Sequence, residues 1–350
     1  MSAFAPSARS RALDPVVLWL ALCCAMVFVM VVLGGVTRLT ESGLSITEWR
    51  PLMGWIPPAT DAAWQEVFQK YQATPEYQQI NAGMTLAEFK GIFWMEYVHR
   101  LWGRLIGLVY ALPFAAFAFT GKIEKRLLPH FVAVFVLGGL QGGLGWFMVK
   151  SGLVDRTDVS PYRLTAHLAL AFVIYAYMFW LLLGLLYRNR RETLPAAALA
   201  LKPWARGLAA LVLLTAMAGG LTAGLNAGFA FNTFPLMAGQ WVPPGFLDLS
   251  PWYLNFFENI AAVQFTHRVL AILTFIAAIT FWLAAGRRGV AGSAKTAANA
   301  LAAFAAVQVG LGIATLLFVV PVALAAAHQA GALALFTAAL WTAQRLEQAA

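Results

Sequence analysis

Eight apolar runs, near residues 16–36, 92–119, 129–149, 163–187, 207–226, 259–285, 297–319 and 323–343, are each long enough to cross a membrane. The hydrocarbon core is about 30 Å thick, which about 20 helical residues span. Backbone groups in lipid must find their partners inside the segment, so runs of this kind are restricted to helices. Only 11% of the residues are charged, against roughly 25% in soluble domains. The formal charge of +9 is therefore no nucleic-acid signature, because basic residues collect in the cytoplasmic loops of membrane proteins. The first run is too long for the apolar region of a signal peptide and lacks a clear cleavage site, so it reads as a retained helix.

The loops are unequal. Residues 37–91 and 227–258 are long and rich in Trp, Phe and Pro, whereas the last two runs are joined by a few residues around Pro321. Arg9, Arg11, Lys122, Lys125, Arg126, Arg188, Arg190, Arg191, Lys202, Arg206, Arg287, Arg288, Lys295 and Arg345 fall on one side. Arg38, Arg50, Lys70, Lys90, Lys150, Arg156 and Arg163 fall on the other, diluted over the long loops and mixed with most of the acids. This bias predicts cytoplasmic N- and C-termini and outward-facing long loops.

The chain also repeats itself. Gly34-Gly35-Val36-Thr37 is answered by Gly219-Gly220-Leu221-Thr222, and Pro51-Leu52-Met53 by Pro235-Leu236-Met237. Glu96-x-x-His99-Arg100 is answered by Gln264-x-x-His267-Arg268, and Gln141-x-Gly143-Leu144-Gly145 by Gln308-x-Gly310-Leu311-Gly312. Ala166-His167 is answered by Ala327-His328. Four spans per unit make the repeat parallel, about an axis along the membrane normal. The expected fold is all-α and integral to the membrane, with eight transmembrane helices as two parallel four-helix bundles, residues 1–195 and 196–350.

Of five histidines, His99, His167, His267 and His328 each lie in an even-numbered run near its outer end, two per repeat. His130, at the other end of the third run, has no mate and reads as an interfacial residue. Paired imidazoles from facing helices are a common way for a bundle to hold a metal or cofactor. No cysteine or carboxylate cluster completes a zinc or di-iron shell; Cys23 and Cys24 are adjacent in the first run and read as small apolar residues. Two neutral imidazoles suit the axial positions of haem iron. The residue one turn inward from each histidine is small, namely Gly103, Ala171, Ala271 and Ala332, which leaves room for a flat macrocycle. All four ligands at one depth place two haems side by side, not stacked across the membrane.

Glu96 breaks the symmetry, because Gln264 at the matching position cannot ionise. A buried carboxyl next to a haem can take or relay protons; it can equally be a partner for Arg100 or Arg104. Arg100 and Arg268, each following a histidine, lie at a depth suited to haem propionates.

The stretches Gly34–Trp49, Pro51–Pro58, Glu96–Gly107 and Thr266–Arg268 resemble the haem A synthases of the alphaproteobacterial and mitochondrial type, and the similarity extends over nearly the whole chain. The resemblance implies an eight-helix enzyme of a bacterial cytoplasmic membrane, in cytochrome oxidase assembly, that oxidises a methyl group of haem O to the formyl group of haem A by successive hydroxylations. It implies a haem b cofactor on His267 and His328. It implies a substrate haem flanked by His99 and His167, with Arg100 nearby and Glu96 as catalytic carboxylate. Some bacterial members carry a cysteine pair in the first outer loop. Residues 37–91 contain no cysteine, so the electron donor stays open. A haem O synthase and a second copy of the chain are the candidate partners. The alternative is a bis-histidine diheme electron-transfer protein, in which Glu96 only pairs with an arginine.

Overall fold

The structure, a computed structural model, describes residues 14–48, 54–155, 157–189 and 192–350. Trp49, the Pro51-Leu52-Met53 element of the repeat, and Arg9, Arg11, Arg50, Arg156, Arg190 and Arg191 of the charge bias lie outside the described residues. The chain forms α1 (Pro15–Leu39), α2 (Asp61–Gln72), α3 (Pro75–Gln79), α4 (Leu86–Phe119), α5 (Leu128–Asp155) and α6 (Pro161–Leu186). It continues with α7 (Ala196–Leu199), α8 (Lys202–Gly224), α9 (Asn255–Glu258), α10 (Ile260–Arg287), α11 (Gly292–Leu317) and α12 (Val322–Gln348). Eight of these helices are long and apolar enough to cross a membrane, and no β-strand forms among the described residues.

Helix starts follow local chemistry. Asp14 accepts from the Val16 N–H ahead of Pro15, and Asn259 accepts from Ala261 and Ala262 at the start of α10. Thr85 and Glu88 form a reciprocal capping box on α4. The spans are apolar on nearly all faces, as expected of helices that pack on protein on one side and lipid on the other. Their outward faces present residues such as Leu112, Phe119, Leu140 and Ile276.

The buried core runs chiefly through α1, α6, α8 and α12. Helix α1 packs on α4, α6 and α12, and α6 also packs on α5, α8 and α12. Helix α8 packs on α10 and α12, and α11 on α10 and α12. Polar ties cross this apolar interior. Trp102 Nε1 donates to the Met26 carbonyl at 2.9 Å, and Tyr175 Oη and Thr337 Oγ1 lie 2.8 Å apart. Gln329 Nε2, one residue after His328, donates to the Val31 carbonyl of α1 at 2.8 Å. Its side chain occupies the space a Cβ on Gly35 would need, at 1.9 Å.

Residues 37–91 are not simply an irregular polar loop. Thr60 and Thr74 cap α2 and α3; α2 packs on the start of α4, and α3 packs on α2 and α5. Trp64, Phe68, Tyr71, Phe89, Phe93 and Tyr97 form a separate buried aromatic cluster there. Helical spacing of the aromatics at 64, 68 and 71 creates that face, while the intervening polar residues make the segment look like a loop by hydropathy.

At the opposite end Arg345 is fully buried. Its Nε donates to Ser293 Oγ at 2.6 Å and its Nη1 to Gln348 Oε1 at 2.7 Å. Its guanidinium lies 3.6 Å from Glu192 and stacks 4.0 Å from the centroid of Tyr187. Glu192 in turn accepts from the Ser293 N–H at 2.8 Å. Removing one partner of a buried pair leaves an uncompensated charge and costs about 3–5 kcal/mol. Arg345→Ala is expected to lower the thermal unfolding midpoint in detergent accordingly. Arg345→Lys should fall between, because lysine keeps the charge but lacks the planar fork. An unchanged midpoint for Arg345→Ala would show that the pair contributes nothing.

Candidate functional site

Helices α4, α6, α10 and α12 bring His99, His167, His267 and His328 to the wall of one interior cavity of about 1150 Å³. Glu96, Arg100, Gln264 and Arg268 also line it, as do the small residues Gly103, Ala171, Ala271 and Ala332. Single-ligand pockets usually run about 300–1,000 Å³, so the volume suits more than one compact ligand or one with a long tail.

Each imidazole is seated against a glycine of a neighbouring span. A Cβ placed on Gly34 would lie 3.1 Å from His99 Cε1, and one on Gly145 would lie 3.1 Å from His167 Cε1. The corresponding distances are 3.0 Å for Gly219 and His267, and 2.9 Å for Gly312 and His328. In all four cases the ring edge between the two nitrogens rests where a side chain would begin, so the glycine limits how the ring can turn. These glycines stand in the repeated Gly-Gly and Gln-x-Gly-x-Gly stretches. The sequence marks them by repetition, but their role depends on helix packing.

The histidines differ in their partners. His267 Nδ1–H donates to the Thr215 carbonyl at 3.2 Å, which leaves Nε2 with its lone pair free. Gln308 Nε2 donates to the His328 carbonyl at 3.0 Å, and Gln141 Nε2 does the same to His167 at 3.0 Å. Gln141 also comes within 3.3 Å of His167 Nε2. Nδ1 of His99, His167 and His328 is buried with no hydrogen-bond partner among the described residues.

The His267 and His328 rings lie 6.4 Å apart between centroids and are inclined at 81°. Two imidazoles on opposite sides of one metal ion, each nitrogen about 2 Å from it, hold their centroids roughly 6 Å apart. The spacing would let His267 and His328 hold a single iron between them, which the donor chemistry also favours. No group of three or more His, Cys, Asp or Glu side chains forms a metal cluster among the described residues. Paired imidazoles suit a macrocycle that brings four of its own donors. Cys23 and Cys24 are buried and unpaired. His130 is exposed, with Nδ1 2.8 Å from Tyr177 Oη.

The arginines are engaged with the protein's own backbone. Arg100 donates to the Ile46 carbonyl at 2.8 Å and the Glu48 carbonyl at 3.1 Å. Arg268 donates to the Phe231 carbonyl at 2.6 Å and the Thr233 carbonyl at 2.8 Å. Both clasp the long loop ahead of their own helix, a use that the expected propionate contact did not include.

Glu96 is 2% exposed. Its Oε1 accepts from Arg100 Nε at 2.9 Å and Nη2 at 2.5 Å. Its Oε2 accepts from Ser45 Oγ and the Ile46 N–H, both at 2.7 Å. Gln264 instead donates through Nε2 to the Phe231 carbonyl at 3.2 Å, and its Oε1 has no partner among the described residues. The asymmetry read in the sequence thus extends to the loops: one is held through an N–H and a carbonyl, the other through a carbonyl only. Ser45 and Ile46 lie within the Gly34–Trp49 stretch, but their hydrogen bonds to Glu96 emerge only in three dimensions.

Eight membrane-crossing helices with paired imidazoles around a shared cavity define a multi-pass membrane protein with an interior built for ligand binding. The chain belongs to the family described as "Cytochrome oxidase assembly protein", whose profile matches residues 17–340. It is 52% identical over 334 residues to "Heme A synthase" of Nitrosospira multiformis, covering 95% of this chain and 94% of that protein. It is 54% identical over 329 residues to "Heme A synthase" of Paramagnetospirillum magneticum, covering 93% and 92%. It is also 46% identical over 349 residues to "Heme A synthase COX15" of Bos taurus, covering 98% and 84%.

Proposed function

We infer that this chain is a haem A synthase: a membrane oxidoreductase that converts a methyl group of haem O to the formyl group of haem A. The observation that carries the reading is a glycine-backed imidazole pair built twice, with an arginine-bound carboxylate in one copy and an amide in the other. The chain divides at about residue 195 into two four-helix halves. In the second half, His267 and His328 would hold a resident haem b. In the first, His99 and His167 would flank the substrate haem. Both termini face the cytoplasm of a bacterial cell, and both long loops face outward.

A bound haem supplies redox chemistry at its iron. The chain's own residues do the rest. Thr215 fixes the His267 tautomer, the four glycines fix the ring directions, and Arg100 and Arg268 hold the outer loops over the pockets. Glu96, joined to Arg100, Ser45 and Ile46, sets the polar wall of the first pocket one helical turn from His99. As the catalytic carboxylate it would receive or return a proton through these hydrogen bonds as the substrate methyl is oxidised. The Glu96–Arg100 pair is also the one observation that favours the diheme electron-carrier reading.

Haem extraction separates the two. In membranes of cells that make haem O and have an active electron supply, haem A or its hydroxylated precursor should appear only when this chain is expressed. Unchanged haem O beside a bis-histidine b-type spectrum would favour the electron carrier. A finer expectation concerns the glycines. Gly312→Ala puts a methyl 2.9 Å from His328 Cε1, closer than a real Cβ contact. Haem retained per purified chain should fall, with affinity reduced about 10-fold or more, as when a ligand's supporting contacts are lost. Full retention would show that the ring has room to move.

A further inference from the structure

We propose that Glu76 is a proton-exchanging carboxyl of the first-half pocket, placed between the outer side and the Glu96 wall. The proposal rests on that pocket being the one where the substrate reacts. Glu76 follows Thr74 and Pro75 in the first turn of α3. A glutamate there ordinarily faces water, where it complements the helix dipole. This one is 5% exposed and lines the same cavity as Glu96 and His99. Its Oε2 is buried with no hydrogen-bond partner among the described residues.

The nearby cations are engaged elsewhere. Arg38 is bound to Asp158 at 2.9 Å and to Asn226 Oδ1 at 2.9 Å, and Arg100 is bound to Glu96. Helix α3 packs on α5, whose Lys150 is exposed. Glu96 of α4, Asp158 ahead of α6 and Glu41 after α1 act on Glu76 as like charges, while the Tyr71 hydroxyl of α2 hydrogen-bonds to it and acts in the opposite direction. Burial first, and then the three carboxylates, push the Glu76 carboxyl up to about 8. It therefore carries a proton at neutral pH, and an isolated buried charge there would be costly.

This divides the labour between two acids. Glu96 already takes four hydrogen bonds, two of them from Arg100. Glu76 has an unfilled oxygen and a proton to give. In one exchange its O–H proton passes to an acceptor in the pocket and the carboxylate takes a proton from outer water, or the reverse. The carboxyl is regenerated and one proton has crossed. Linkage gives a sign as well. Between its ordinary value and about 8 the folded chain holds a proton that the unfolded chain releases, so the packing of α3 weakens as pH rises through that window.

The test uses the full chain in detergent, as wild type, Glu76→Gln and Glu76→Asp. Infrared difference spectra should show a protonated-carboxyl C=O band that disappears with a midpoint near pH 8. The band should be absent in Glu76→Gln and shifted in Glu76→Asp. Glu76→Gln should keep its resident haem, lose on the order of 10-fold or more in turnover, and lose the alkaline limb of the pH profile. Glu76→Asp should recover part of both. Wild-type turnover and pH profile in Glu76→Gln would overturn the proposal, as would a band that persists there. Should Glu76→Gln not fold, a wild-type band unchanged in Glu76→Asp, or no titrating band at all, would overturn it. If the wild type makes no haem A, the function reading fails, whereas the infrared band still tests the carboxyl.

Discussion

If His267 and His328 hold a resident haem, replacing His328 with alanine is expected to strip it from the purified chain, and His267→Ala should do the same. The two rings stand 6.4 Å apart, and losing either would remove one of the two imidazoles that would hold the haem. The reduced absorption spectrum and the haem-to-protein ratio read the outcome directly. A b-type spectrum at full stoichiometry in both variants would place the resident haem elsewhere. His99→Ala and His167→Ala should retain it and lose turnover instead, which makes the four variants a map of the two pockets.

The second large effect is expected from Glu96→Gln. Position 96 accepts hydrogen bonds from Arg100, Ser45 and the Ile46 N–H. An amide offers one oxygen and one NH₂, so one side of this set must face donor against donor. Arg100 also loses its only carboxylate partner among the described residues. The cost of separating such a pair, about 3–5 kcal/mol, is enough to release residues 45–48 from α4 and lower turnover on the order of 10²-fold or more. The resident haem should stay, because neither His267 nor His328 touches this network. Full turnover would sink the role of Glu96. Loss of turnover with an unchanged pH profile would make Glu96 a positioning residue rather than a proton donor.

Much of this was legible before the fold. Apolar run lengths give the eight spans, and the four histidines with their arginines stand out because ionisable residues are rare in such runs. The repeat even marks Gly34, Gly145, Gly219 and Gly312, but nothing in one dimension says that a ring rests on each. Charge counting could not reveal that Arg345 is buried, since an arginine near a chain end ordinarily faces water. Glu76 was hidden for the same reason: a polar segment reads as solvated until its aromatics are seen to share a face. The Glu96–Arg100 pair was among the readings of the sequence, but the carbonyl partners of Arg100 and Arg268 were missed because a loop carbonyl has no sequence signature.

The contact of Gln329 with Gly35 has an effect beyond packing. His328 and Gln329 are consecutive, Gln329 lodges on Gly35 and reaches the Val31 carbonyl, and Gly34 beside it backs His99. On the proposed assignment, a ligand held by His328 would also brace the helix turn behind His99. Haem O should bind the loaded protein more tightly than the emptied one, and Gln329→Ala should erase that difference while leaving all four histidines in place.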